Sequence, residues 1–170
     1  MDLAEPTRTL PLPLQPFDAV VAEHGPAVLR VCRAMLGPVD ADDAWSETFL
    51  AALRAYPDLR PHSNVRGWLV TIAHHKAIDH IRKRERAPSP TGKVPDIPTP
   101  DAPAEADADL RAALDALPPK QRGAVVYRYL ADLAYADIGT LLDSSEAAAR
   151  RSASDGLAKL RTTYGKRAPR

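Results

Sequence analysis

Residues 87–108, APSPTGKVPDIPTPDAPAEADA, contain six prolines and no aromatic residue, and this stretch divides the chain. Each proline removes a backbone donor and fixes φ, so the segment suits neither a helix interior nor a central strand. With so little apolar material it reads as an extended, flexible linker. A folded core must therefore come from the residues on either side of it. Both sides show a helical period: apolar residues recur at three- and four-residue steps, and no segment alternates convincingly at period two. The expected architecture is all-α, with two small helical domains joined by the flexible Pro-rich linker.

On the N-terminal side, Phe17, Val20, Val21, His24, Val28, Val31, Cys32, Met35 and Leu36 form one helical stripe. Gly25-Pro26 should kink it or split it, and Gly37-Pro38 should end it. Asp40 is placed to cap a second helix, with Asp43 three residues on. Trp45, Thr48, Phe49, Ala52, Leu53 and Tyr56 make the apolar face of that helix, and Pro57 stops it. A third helix is expected over 65–86. Its apolar residues split between two faces, so either different neighbours cover its two ends or some of them meet a ligand.

Beyond the linker, Leu110, Ala113, Leu114 and Leu117 start a new stripe, and Pro118-Pro119 breaks and restarts it. The expected organisation is a flexible N-terminal segment (1–16), a helical domain (17–86), the linker (87–108), a second helical domain (109–165) and a basic tail (166–170).

The formal net charge of +1 hides a strong segregation. Residues 1–60 and 94–117 are acidic, whereas 61–93 and 118–170 are basic. Two basic blocks suggest two places for a polyanion, and two acidic ones suggest a different kind of partner. Cys32 is the single cysteine, which excludes a disulfide framework and a Cys-based metal site. It reads as a small buried hydrophobe. The first 16 residues show no export signal, and no apolar run approaches the ~18 residues of a membrane span. A cytoplasmic protein without membrane insertion is expected.

The third helix carries Trp68, three histidines, and then Arg82, Lys83, Arg84 and Arg86 at its end. A basic helix end can hold a phosphate backbone, and an aromatic upstream can stack on a base. In the C-terminal domain, residues 134–142 should form a short helix, 143–145 a tight turn and 146–161 a longer helix. That is the spacing of a helix-turn-helix. With Ala149, Ala153, Leu157 and Leu160 facing the core, Ala147, Ala148, Arg151, Ser154 and Asp155 face outward, with Arg150 at the edge. Small residues permit close approach to a major groove, and an arginine can read guanine. His75 and Asp79 stand i, i+4, but no second element supplies enough ligands, so no metal is expected. No nucleophile–base set, Gly-rich phosphate loop or paired carboxylates stand out, so neither catalysis nor a cofactor is expected.

Several motifs in register then point to a family. DADDAWSETF (40–49) and GWLVTIAHHKAIDHIRKR (67–84) resemble the first conserved domain of the extracytoplasmic-function sigma factors, sigma subunits of bacterial RNA polymerase. LPPKQRGAVVYRY (117–129) and YADIGTLLDSSE (135–146) resemble their second. The resemblance covers nearly the whole chain. It departs at Ser46, where the family usually has Gln, at His75, usually Asn, and at Asp143, usually Gly. The family's Thr-Val-Lys-Ser-Arg run reads Ala148-Ala149-Arg150-Arg151-Ser152 here.

The resemblance implies a protein that binds core RNA polymerase, directs it to promoters and assists their melting. Asp40, Asp42, Asp43, Ser46 and Glu47 would dock on the clamp helices of the largest polymerase subunit. Arg60, Asn64, Arg66, Trp68, His74, His75, Lys76, Arg82 and Lys83 would meet the −10 element of promoter DNA. Ser145, Glu146, Ala147, Ala148, Arg150, Arg151 and Ser154 would meet the −35 element. An anti-sigma factor is a further candidate partner. The alternative is a helix-turn-helix DNA-binding regulator that has no polymerase contact.

Overall fold

The computed structural model describes residues 14–88 and 105–165. These form seven α-helices and one short 3-10 turn, with no strand among the described residues. The N-terminal half holds α1 (Phe17–Leu36), α2 (Pro38–Ala55), the 3-10 turn (Tyr56–Asp58) and α3 (Val65–Arg86). The C-terminal half holds α4 (Glu105–Asp115), α5 (Pro119–Tyr129), α6 (Tyr135–Leu141) and α7 (Glu146–Tyr164).

α1 runs unbroken through Pro26, where the sequence suggested a kink or two helices. The neighbouring Gly25 carbonyl accepts a bond from the Trp45 indole at 3.0 Å, so this stretch is tied directly to α2. Gly37 ends α1 at φ 81°, ψ 177°, a backbone region that glycine alone enters cheaply. Pro38 then occupies the first helical position of α2, where its missing N–H costs nothing. The helix therefore starts ahead of Asp40, which sits inside its first turn and is not its cap. Phe17, Trp45, Phe49, Tyr56 and Trp68 pack as a chain of ring contacts with centroids 4.7–6.4 Å apart. Leu53, assigned to the core stripe from its spacing, is half exposed instead.

In the C-terminal half, α4 begins at Glu105, four residues inside the expected linker. The prolines end at Pro103, and the following run alternates alanine with carboxylates, which suits a helix start. Ala149, Ala153 and Leu160 of α7 are buried, and Gly156 lies so close to α5 that a Cβ would meet Val125 at 2.8 Å.

The two halves pack on each other, and the buried residues form one connected cluster through both. The C-terminus of α1 is held from two sides. Arg84 of α3 donates to the Leu36 carbonyl at 2.8 Å, and Arg111 of α4 donates to the carbonyls of Arg33 and Ala34. Guanidinium groups at the negative end of a helix both satisfy its last carbonyls and oppose its dipole.

Candidate polymerase and nucleic-acid interfaces

The acidic residues of α2 divide into two sets. Asp40 accepts from Arg84 Nε at 2.5 Å, and Glu47 lies 3.0 Å from His80 Nε2, so both carboxylates tie α2 to α3. Asp42, Asp43 and Ser46 are exposed, and among the described residues no ion pair engages the two aspartates. Beside them Val39, Leu50 and Leu53 are exposed apolar side chains. The outer face of α2 thus combines free carboxylates with apolar groups.

α3 begins at Asn64, whose side chain accepts from the Gly67 N–H at 3.1 Å. Asn64 is therefore the helix cap, a structural role the sequence reading did not assign. Arg60, Arg66, His75, Arg82 and Lys83 are exposed, while Trp68 and Lys76 are half-buried. Trp68 spends part of its ring on Tyr56, at 6.3 Å between centroids. His74 differs from the rest: it is buried and lies against Tyr127 of α5. In this arrangement of the two halves its ring is packed away from DNA. Burial lowers its pKa to about 4, with the charge of His75 acting in the same direction and Asp143 opposing both. Burial likewise pushes the Cys32 thiol up to about 12, as suits an inert core position.

Asn64, Trp68, His75 and Arg82 line a cleft of about 750 Å³ whose other wall is Lys120, Arg122, Leu142 and Asp143 of the C-terminal half. Arg66 also faces that half, 4.0 Å from Asp132. Among the described residues, no three His, Cys, Asp or Glu side chains converge as a metal site.

The second candidate surface is built by α6, its turn and α7. Gly139 makes the turn possible: a Cβ there would lie 2.8 Å from the Ser144 carbonyl oxygen. Asp143 takes the left-handed conformation at φ 50°, which short polar side chains tolerate better than most. That accounts for an aspartate where the resembling family has glycine. Ser145 caps α7, accepting from the Ala148 N–H at 3.1 Å. Glu146, Ala147, Arg150, Arg151, Ser154 and Asp155 are exposed along one side of α7, and Ala148 is half-buried. Glu146 pairs with Arg150 at 3.1 Å.

Sequence reasoning missed Arg84, Arg111, Tyr127 and Tyr135 as organising residues. Their partners lie on other elements, so no local spacing announces them.

Comparison with known proteins bears on the family and the fold. The Sigma-70 region 2 family matches residues 20–87, and the Sigma-70, region 4 family matches residues 107–160. The ECF RNA polymerase sigma factor SigE of Mycolicibacterium smegmatis is 34% identical over 136 residues, which cover 74% of this chain and 52% of SigE. The RNA polymerase sigma factor CarQ of Myxococcus xanthus is 32% identical over 163 residues, covering 88% of this chain and 89% of CarQ. The chain thus spans about half the length of SigE and most of CarQ.

Among solved structures, the sigma factor RpoE from Bartonella quintana, in complex with the anti-sigma factor NepR, superposes with a TM-score of 0.72 at 19% identity. That match covers 88% of this chain and 97% of RpoE. CnrH, in complex with the cytosolic domain of CnrY, gives 0.64 at 24% identity over 86% of this chain and 85% of CnrH. Both share the fold. With regions 2 and 4 matched in order and CarQ matched over most of its length, the chain belongs to the extracytoplasmic-function group of RNA polymerase sigma factors.

Proposed function

We propose that this sigma factor binds core RNA polymerase and directs it to specific promoters, with α7 at the −35 element and the 59–64 loop and α3 at the −10 element. The observation that carries the reading is the separation of its surfaces. The outer face of α2 offers Asp42, Asp43 and Ser46 beside Leu50 and Leu53, which suits a basic, partly apolar partner such as the clamp helices of the largest polymerase subunit. On the opposite half of the chain, α7 offers small side chains and Arg151 for a major groove.

At the −10 element, unstacking a base costs a few kcal/mol, and an aromatic platform returns about 1–3 per base. Trp68 is the aromatic on that face. His74 reaches DNA only if the two halves separate, which polymerase binding would bring about by holding them at two distant promoter elements. The chain performs no reaction of its own in this reading, needs no cofactor, and acts in the cytoplasm beside the polymerase. An anti-sigma factor is a second class of partner: RpoE, which shares the fold, was captured with one. The match of the N-terminal half to region 2 disfavours a DNA-binding regulator that never meets polymerase.

In vitro transcription from a cognate promoter with core polymerase tests the proposal. The expected result is a start-site-specific transcript that core alone does not make. No gain over core alone would overturn it.

A further inference from the structure

Tyr135, the first residue of α6, has two guanidinium groups at its ring. Arg128 Cζ lies 4.9 Å from the ring centroid and Arg150 Cζ lies 4.5 Å from it. The three side chains come from three helices: the last turn of α5, the start of α6 and the beginning of α7. Arg128 is fixed independently, because its Nη1 donates to the Leu133 carbonyl at 3.0 Å. Arg150 remains 61% exposed, and its other link is Glu146 at 3.1 Å. An exposed i, i+4 ion pair alone holds a long side chain weakly. A guanidinium over an aromatic face gains a second, directional restraint.

The neighbouring arginine is in a different state. Arg151 is exposed, with no ring contact and no ion pair among the described residues. Two adjacent arginines of one helix are therefore prepared for different tasks. Arg150 leans back onto α6, at the edge of the exposed face, where a groove wall rather than its floor would pass. Arg128 adds a second positive charge there, which favours a phosphate.

We propose that Tyr135 is a positioning residue whose ring holds Arg150 in a fixed pose for a backbone phosphate of promoter DNA, leaving Arg151 as the arginine that reads a base. The proposal rests on the reading of α7 as the −35 helix. Restraint before binding lowers the entropy lost on contact, and a fixed phosphate contact sets the register from which Arg151 reads.

The test uses the full chain assembled with core polymerase, on promoter duplexes with a matched or a substituted −35 element. Arg150→Ala is expected to weaken both duplexes alike and to lower the salt slope by about one. Tyr135→Leu should weaken both by about two- to fivefold, and Tyr135→Phe, which keeps the ring, should stay within about twofold of wild type. The double variant Tyr135→Leu/Arg150→Ala should be no weaker than Arg150→Ala.

If the Tyr135→Leu loss persists undiminished in the Arg150→Ala background, Tyr135 is merely structural and the proposal falls. It falls equally if Arg150→Ala weakens the matched duplex alone. Failure of the underlying −35 reading looks different: Arg150→Ala and Arg151→Ala would then both leave every duplex unaffected. Circular dichroism checks the fold, and Tyr135→Met, bulky but without a ring, replaces Tyr135→Leu if the latter does not fold.

Discussion

His74 Nδ1 lies 2.5 Å from the hydroxyl oxygen of Tyr127, and this buried contact joins α3 of the N-terminal half to α5 of the C-terminal half. The two rings stand edge to face, 5.4 Å apart at 80°. Tyr127 is completely enclosed, and burial raises its pKa, so the hydroxyl keeps its proton. Removing that hydroxyl would leave a buried ring nitrogen without a partner. Tyr127→Phe should therefore cost about 1–3 kcal/mol in urea unfolding, despite the nearly unchanged volume. An unchanged midpoint would show that the histidine finds water or another partner.

The same histidine makes stability depend on pH. Its folded pKa is lowered to about 4, against an ordinary value near 6.5. Between those values the unfolded chain binds a proton that the folded chain refuses. The stabilising contribution is therefore complete above about pH 6.5, declines as pH falls, and levels off below about 4. The slope inside that window should approach about 1.4 kcal/mol per pH unit. His74→Gln lacks the titrating group, so the difference between wild type and variant isolates the effect from the many carboxylates. A constant difference from pH 7 to 4 would contradict this origin.

The features legible in the sequence are those fixed by neighbours along the chain. Gly37-Pro38 and Pro118-Pro119 mark real helix junctions, and α3 spans Val65–Arg86 as expected because its uninterrupted run and its basic end lie within its own segment, although its Asn64 cap went unassigned. The turn at 143–145 is legible for the same reason. What escaped lies between distant residues: Asp40 with Arg84, Glu47 with His80, and Arg111 with the end of α1 are separated by 33 to 78 positions. A charged residue looks the same in sequence whether it meets solvent, a partner protein or its own fold. Hence two of the four acidic residues assigned to a polymerase-facing set turn out to fasten α2 to α3.

The helix-turn-helix should be sensitive at Gly139 and tolerant at Asp143. A Cβ on Gly139 would crowd backbone atoms of the turn, 2.8 Å from the Ser144 oxygen and 3.0 Å from the Ser145 carbonyl carbon, and backbone cannot swing aside as a side chain can. Gly139→Ala should destabilise by about 1–3 kcal/mol. Asp143→Gly places the freer residue at a φ of 50° and should remain within about 1 kcal/mol of wild type, whereas Asp143→Val should unfold earlier. Thermal unfolding followed by circular dichroism separates the three. Equal midpoints for Gly139→Ala and wild type would mean that the turn opens without penalty.

On α2, charge reversal should separate fold from function only if the right carboxylates are chosen. Asp40 is three-quarters buried and ion-paired with Arg84, and Glu47 pairs with His80, so reversing either would disturb the α2–α3 contact as well as any partner. Asp42 and Asp43 are exposed and make no such pair among the described residues, and substitution of surface residues of this kind usually changes stability by less than about 0.5 kcal/mol. Asp42→Arg together with Asp43→Arg should therefore keep the helical content and unfolding midpoint of the parent while lowering affinity for core polymerase by at least about tenfold, since two attractive charges facing a basic surface become repulsive. Asp40→Ala should do the reverse at first order, lowering the unfolding midpoint because Arg84 loses its carboxylate. Co-sedimentation or pull-down with core polymerase, run beside thermal unfolding, reads both. Undiminished polymerase binding by the double reversal would show that the docking face of this sigma factor lies elsewhere on the N-terminal half.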